Sequence, residues 1–200
     1  IGERDRFERY MKTAEKGLRE FMNKQPLSVS IYEMEQPDTL LWATWCLQQY
    51  AKYTSRRECY EKYGNLLFEM INFVRNGKHN NLFVHENGLL YSCGRDRAVT
   101  WMNSTVNGRP VIPRTGYIVE INALWYNALC FVAEILGENE FTGSLKKLSE
   151  TTAPSFVETF LNEHGYLLDY VDGRMMDWSV RPNMIFTAAF DYSPLNARQK

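Results

Sequence analysis

Two hundred residues, 44% of them hydrophobic and 14% aromatic, suit one globular domain with a sizeable core. Lys and Arg number 23 against 24 for Asp and Glu, a formal net charge of -1. That balance argues against a nucleic-acid or anionic-membrane partner, and no apolar run is long enough to span a bilayer.

From Phe7, the positions Phe7, Tyr10, Met11, Ala14, Leu18, Phe21 and Met22 follow the three-four spacing of a one-faced helix. Pro26 and residues 28–37 break it. A second helix, Thr39 to Tyr53, is apolar on most sides through Leu40, Leu41, Trp42, Ala43, Trp45, Cys46, Leu47 and Tyr50. Asp38 stands before it, where a carboxylate can cap free amides. A third, from Arg56 to Arg75, is one-faced again through Tyr60, Tyr63, Leu67, Met70, Ile71 and Val74.

Residues 77–119 are long for a connection, and such loops in compact domains are usually functional. Asn87-Gly88 predicts a hairpin; Asn107-Gly108, Pro110 and Pro113 keep the later part extended. From Glu120 to Gly137 a fourth helix is apolar on nearly every side, as expected of one buried all round. A fifth, one-faced region carries Phe141, Leu145, Leu148, Phe156 and Phe160, interrupted by Pro154. After a second polar loop at Gly165-Tyr166-Leu167-Leu168-Asp169, a short apolar helix starts at Pro182.

One-faced and buried helices therefore alternate, as in a double ring of helices or a stacked solenoid. The overall expectation is an all-α fold with a small β hairpin in the long loop. Asp38, residues 101–122 and residues 177–183 each precede a buried helix, and three such loops would meet at one end of an inner ring. They offer indoles (Trp42, Trp101, Trp125, Trp178), carboxylates (Asp38, Glu120, Asp177), guanidinium groups (Arg95, Arg114, Arg181) and amides (Asn122, Asn183). Aromatic faces cover the C–H side of a sugar while carboxylates, amides and Arg bond its hydroxyls. Other readings stand beside this one. Trp42 and Trp125 also suit a core, Asp38 and Glu120 helix caps, and Arg114 and Arg181 tethers for loop carbonyls.

Cys46, Cys59, Cys93 and Cys130 show no CxxC spacing and read as buried reduced thiols. His79, His85 and His164 show no metal-ligand spacing and read as surface or loop residues, so neither metal nor cofactor is expected. Gly-rich phosphate loops and a Ser-His-Asp pattern are not legible.

Several of these runs resemble one known family. Thr100-Trp101-Met102-Asn103, Pro113-Arg114-x-Gly116 and Val119-Glu120-Ile121-Asn122-Ala123-Leu124-Trp125-Tyr126-Asn127-Ala128-Leu129 are similar to the glucosidase domain of glycogen debranching enzymes, the amylo-alpha-1,6-glucosidases. Asp38-Thr39-Leu40-Leu41-Trp42, Asn87-Gly88-Leu89-Leu90-Tyr91, the Gly165 to Asp169 run, Val180-Arg181-Pro182-Asn183-Met184-Ile185-Phe186 and Tyr192-Ser193-Pro194-Leu195 extend the resemblance. It implies an (α/α)6 toroid of helical hairpins, of which one domain over residues 1–200 supplies about half. It also implies hydrolysis of the alpha-1,6-linked glucose at branch points of glycogen or another branched alpha-glucan, in a cytoplasmic protein. The implied chemistry is inverting, with two carboxyl groups roughly 6.5–9.5 Å apart around a water. Glucose would be held by Asp38, Trp101, Arg114, Glu120, Asn122, Trp125, Asp177, Arg181 and Asn183. The sequence departs from the family twice. Asn103 stands where the family has its general acid, an Asp, and no residue after Tyr192 matches the family's C-terminal Glu base. A glycan-binding or scaffold protein without catalysis is the alternative. Half a toroid would expose the flanks of its inner helices, so self-association or a covering partner is expected.

Overall fold

The computed structural model describes residues 3–28, 35–94 and 96–200. Among these, six helices account for about half the chain: α1 (Arg4–Met22), α2 (Thr39–Tyr53), α3 (Arg56–Arg75), α4 (Val119–Ile135), α5 (Glu140–Phe160) and α6 (Asn183–Ala189). None is long and apolar enough to cross a membrane.

The centre is α4. Its apolar surround predicts complete enclosure, and Ile121, Leu124, Trp125, Leu129 and Val132 are each fully buried. It packs on α2, α3, α5 and α6. Burying a large apolar side chain is worth about 1.5–3 kcal/mol, so this one helix anchors much of the fold. The alternation read from the sequence holds fully only for α4. In α2, Trp42 and Trp45 are half-buried, and in α6 Ile185 is 67% exposed. Capping sets two helix starts: the Ser55 side chain accepts the Glu58 amide, and Asn139 and Thr142 form a reciprocal capping box.

An all-α fold with one small hairpin understates the strands. The Asn87-Gly88 hairpin is present, pairing β1 (Leu82–Val84) with β2 (Leu90–Ser92). It continues into a five-stranded antiparallel sheet through β5 (Gly116–Ile118), β6 (Tyr170–Asp172) and β7 (Met175–Met176), in the order β1-β2-β5-β6-β7. A separate ribbon pairs β3 (Thr105–Val106) with β4 (Arg109–Pro110). Strands of two or three residues are too short to show a period of two, and their pairings join distant segments. Tyr117 of β5 faces Tyr91 on one side and Val171 on the other. Next to it Gly116 has φ +95°, and a Cβ there would lie 2.3 Å from the Val171 carbonyl oxygen, so only glycine lets β5 and β6 approach. The sheet thus meets the core where β5 runs straight into α4.

Three further expectations need correction. Pro154 does not interrupt the fifth helix, which runs unbroken from Glu140 to Phe160. Pro154 and Glu150, whose carbonyl loses its partner, are both exposed, so water can satisfy the freed group. His79 lies in a loop but is buried, wedged edge-on against Phe21 and Phe73. Of the cysteines, all free, Cys59 is buried, Cys46 and Cys130 are half-buried and Cys93 is exposed.

Candidate functional site

Where β5 hands over to α4, charged side chains meet below the surface. Arg114, buried despite its charge, places both terminal nitrogens on Glu120 of α4, one of them at 2.6 Å, and sets its Nε 3.0 Å from Asp169 Oδ2. A planar guanidinium suits this task because its donors match a carboxylate pairwise. Its Nη1 also donates to Thr100 Oγ1 at 3.2 Å, which ties down the start of the Thr100-Trp101-Met102-Asn103 run.

Asp169 is the hub. Besides Arg114 it accepts from Arg181 Nη1 at 2.8 Å and from Asn183 Nδ2 at 2.7 Å, and it is fully buried. Arg181 Nη1 donates onward to Asp177 Oδ2 at 2.8 Å, and Asn183 Oδ1 accepts the Trp101 indole N–H at 3.2 Å. Residues from five stretches of chain, at 100–101, 114, 120, 169 and 177–183, therefore form one connected unit.

Asp38 approaches the same unit from the start of α2. It stands at the N-cap position with helical φ and ψ, and its side chain caps nothing. Instead the carboxyl accepts the Trp42 indole and the Trp101 amide. Burial, reinforced by the charge of Glu120, pushes it up to about 6. Burial also pushes the Glu120 carboxyl up, against the pull of Arg114. For Arg114, burial alone would lower the pKa, but its bonds to Glu120 and the charges of Glu120 and Asp169 overcome that and raise it. Burial works to raise Asp177 too, yet the Ser179 and Arg181 bonds win and hold it below the usual carboxylate range.

The sequence pattern of the amylo-alpha-1,6-glucosidase family matches residues 3–200. The chain belongs to that family. No curated protein and no solved structure matches it. Membership points to glycosidase-type chemistry of the glycogen-debranching kind, on a glucan substrate.

Of the residues singled out for this glucosidase-family chain, Asp38, Trp101, Arg114, Glu120, Asp177, Arg181 and Asn183 come together. Asn122 and Trp125 do not join them. The Asn122 amide accepts the Leu90 amide at 2.7 Å and donates to the Leu90 and Ile118 carbonyls, lacing α4 to β2. Trp125 is fully buried, its indole donating to Gly88 O at 3.1 Å. Both face the core because the helical period carries them away from the Glu120 side. Trp42 packs its ring against Phe186 at 5.2 Å and Trp45 at 5.7 Å. Arg95 lies outside the described residues. Asn103 is exposed beside Trp101 and is followed by the solvent-facing β3–β4 ribbon.

The site has two layers. Arg114, Glu120, Asp169 and Asn183 are buried and directed at one another. Bonded to these are Trp101, 52% exposed, and the partly open Asp177 and Arg181; next in sequence to them, Asn103 is exposed and Trp178, 43% exposed, lies edge-on to His164. Asp169 was legible only as part of a polar loop. A lone carboxylate between Leu167-Leu168 and Tyr170-Val171, in a chain whose Arg114 and Arg181 each adjoin a proline, is the signal that marks it.

Proposed function

We propose that this chain supplies the glucose-binding loops of an alpha-1,6-glucosidase acting at branch points of glycogen or a similar alpha-glucan. The observation that carries the reading is the convergence of Asp38, Trp101, Arg114, Glu120, Asp177, Arg181 and Asn183 at the N-terminal end of α4. In this reading the buried layer fixes the rim, and the rim touches sugar. Trp101 and Trp178 lie against the apolar ring face, while Asn103, Asp177 and Arg181 reach its hydroxyls. The helices belong to an (α/α)6 toroid, whose remaining hairpins come from a second copy or from further chain. The setting is cytoplasmic, where the four thiols stay reduced.

Hydrolysis with inversion needs one carboxyl to protonate the leaving oxygen and another to activate water. At position 103 the amide of Asn bonds a glycosidic oxygen but has no proton to give as an acid at neutral pH. The base, by resemblance, is a Glu that these 200 residues do not match. Asn103 is also the specific observation behind the second reading, a glycan-binding protein that keeps the sugar-binding loops and has lost the chemistry.

Two measurements separate these. Added isomaltose is expected to change the intrinsic tryptophan fluorescence, and Trp101→Ala to abolish the change; a wild-type signal indifferent to isomaltose overturns both readings. Combined with the source of the second carboxyl, Asn103→Asp is expected to raise glucose release from a branched dextrin. If the Asp variant binds isomaltose and still releases no glucose above wild type, the glycan-binding reading replaces the hydrolase.

A further inference from the structure

Where α3 faces the turn between α4 and α5, two aromatic rings stand half in water. Tyr60 is 51% and Phe68 40% exposed. Eight residues apart, they sit about 12 Å from each other along the helix and about 80° apart around it. Between them is Gly64. Gly64 is buried, and a Cβ there would come 3.1 Å from the Tyr60 ring and 3.5 Å from Leu136 Cδ2, so the missing side chain lets the Tyr60 ring lie down against the helix beside the end of α4. Glycine is a poor helix former, and nothing in the backbone of α3 requires it here. The cleft beside these rings measures about 540 Å³, ample for a small ligand, with the exposed Asn65 carboxamide on its edge.

Its charges narrow the choice of ligand. Arg19 is paired with Glu15 at 2.9 Å and also with Glu69; Lys62 is paired with Glu8 at 2.7 Å and Glu58 at 3.0 Å; Glu61 is paired with Arg57 at 2.8 Å. Each charged side chain of the rim has its counter-ion, so an ionic ligand would have to displace one. Two ring faces and a neutral amide remain. That combination suits a neutral, hydroxyl-rich molecule with apolar faces.

We propose that this cleft is a second carbohydrate site, in which the Tyr60 and Phe68 rings cover successive glucosyl residues of an α-glucan chain and the Asn65 amide bonds their hydroxyls. The choice of α-glucan among sugars rests on the proposed function; the preference for a neutral sugar does not. The cleft ends at Leu136, sixteen residues along α4 from Glu120 and so about 24 Å from the candidate site. A branched polymer is long enough to engage both, and the second contact then raises the effective concentration of chain ends at the first.

Native gels cast with glycogen test this. The protein is expected to be retarded, and Tyr60→Ala together with Phe68→Ala to weaken the apparent affinity about tenfold. Because Phe68 packs on Phe141, with ring centroids 4.6 Å apart, Gly64→Ala serves as the second variant. It keeps both rings and favours the helix but crowds the Tyr60 ring out of its place, and it is expected to weaken retention similarly. Wild-type retention in Tyr60→Ala and Gly64→Ala alike overturns the proposal, as does retention abolished by Trp101→Ala alone. A dimer in sedimentation that Gly64→Ala disperses, with glycogen retention unchanged, assigns the cleft to a second copy of the chain and also overturns it. Tyr60-dependent retention in a protein whose fluorescence ignores isomaltose sinks the proposed function and leaves this one standing.

Discussion

Two ionic networks, built from the same residue types, do different work at opposite ends of the molecule. At the start of α4, Arg114 and Arg181 hold Glu120, Asp169 and Asp177, and the side chains of Arg114, Glu120 and Asp169 are at most 1% exposed. Beside α1, Arg4 and Lys62 hold Glu8 and Glu58 with the Tyr50 hydroxyl between them, and their side chains are 24–51% exposed. Water screens the second network and not the first. In the first, the buried charges of Arg114, Glu120 and Asp169 have only their partners to offset burial; in the second, each has solvent as an alternative. Burial, rather than the number of bonds, decides which network can fix a geometry.

The sharpest way to break the comparison is Arg114→Met. It strands Glu120 without a counter-charge and leaves Asp169 with Arg181 alone, and a loss of about 3–5 kcal/mol in denaturant unfolding is expected. A loss below about 1 kcal/mol would show that water reaches this network too.

Next in size is a pair of opposed titrations. Asp38 is raised to about 6 by burial, so it binds protons more tightly folded than unfolded. The stability it contributes is full below its unfolded pKa and is lost as pH rises through about 6, some 3 kcal/mol in all. His79 is lowered to about 4, also by burial. Its contribution is present above the unfolded histidine value and is lost as pH falls towards about 4, again roughly 3 kcal/mol. In the wild type the two nearly cancel between pH 4 and 6.5. Asp38→Asn is expected to make the protein less stable as pH falls through this window, and His79→Gln to make it more stable. Parallel unfolding curves for the two variants would refute the assignment.

Smallest is Lys62→Met at the exposed network. A slight drop in melting temperature is expected, and it should disappear as salt is raised to about 0.5 M.

How much of this was legible beforehand follows from how far apart the partners lie. The buried character of α4 was plain because a helix repeats its pattern over many turns, and the polar loops before the helices were plain because Trp, Arg and Asp interrupt apolar runs. The five-stranded sheet was not, since Gly116 must meet Val171 before either segment looks like a strand. Likewise, Arg114 and Glu120 were singled out as ligands for sugar, yet they are each other's ligands. Only the fold brings Asp169 between the two arginines, and no local pattern encodes a bond across 55 residues. Asn122 and Trp125 sit in the same motif as Glu120, and reading the motif as one unit hid that successive helical residues point in different directions.

The turn at Gly88 has a consequence for how the chain acquires its shape. The Gly88 carbonyl accepts from both Trp125 and the Thr152 hydroxyl, the latter 64 residues downstream. A growing polypeptide that has emerged only as far as β2 lacks both donors, so the hairpin has no platform until α4 and α5 exist. Long-range closures of this kind slow folding and leave nascent edges uncovered. A ribosome would therefore have to release about three-quarters of these residues before the first strands set, and holdase chaperones have that interval in which to act.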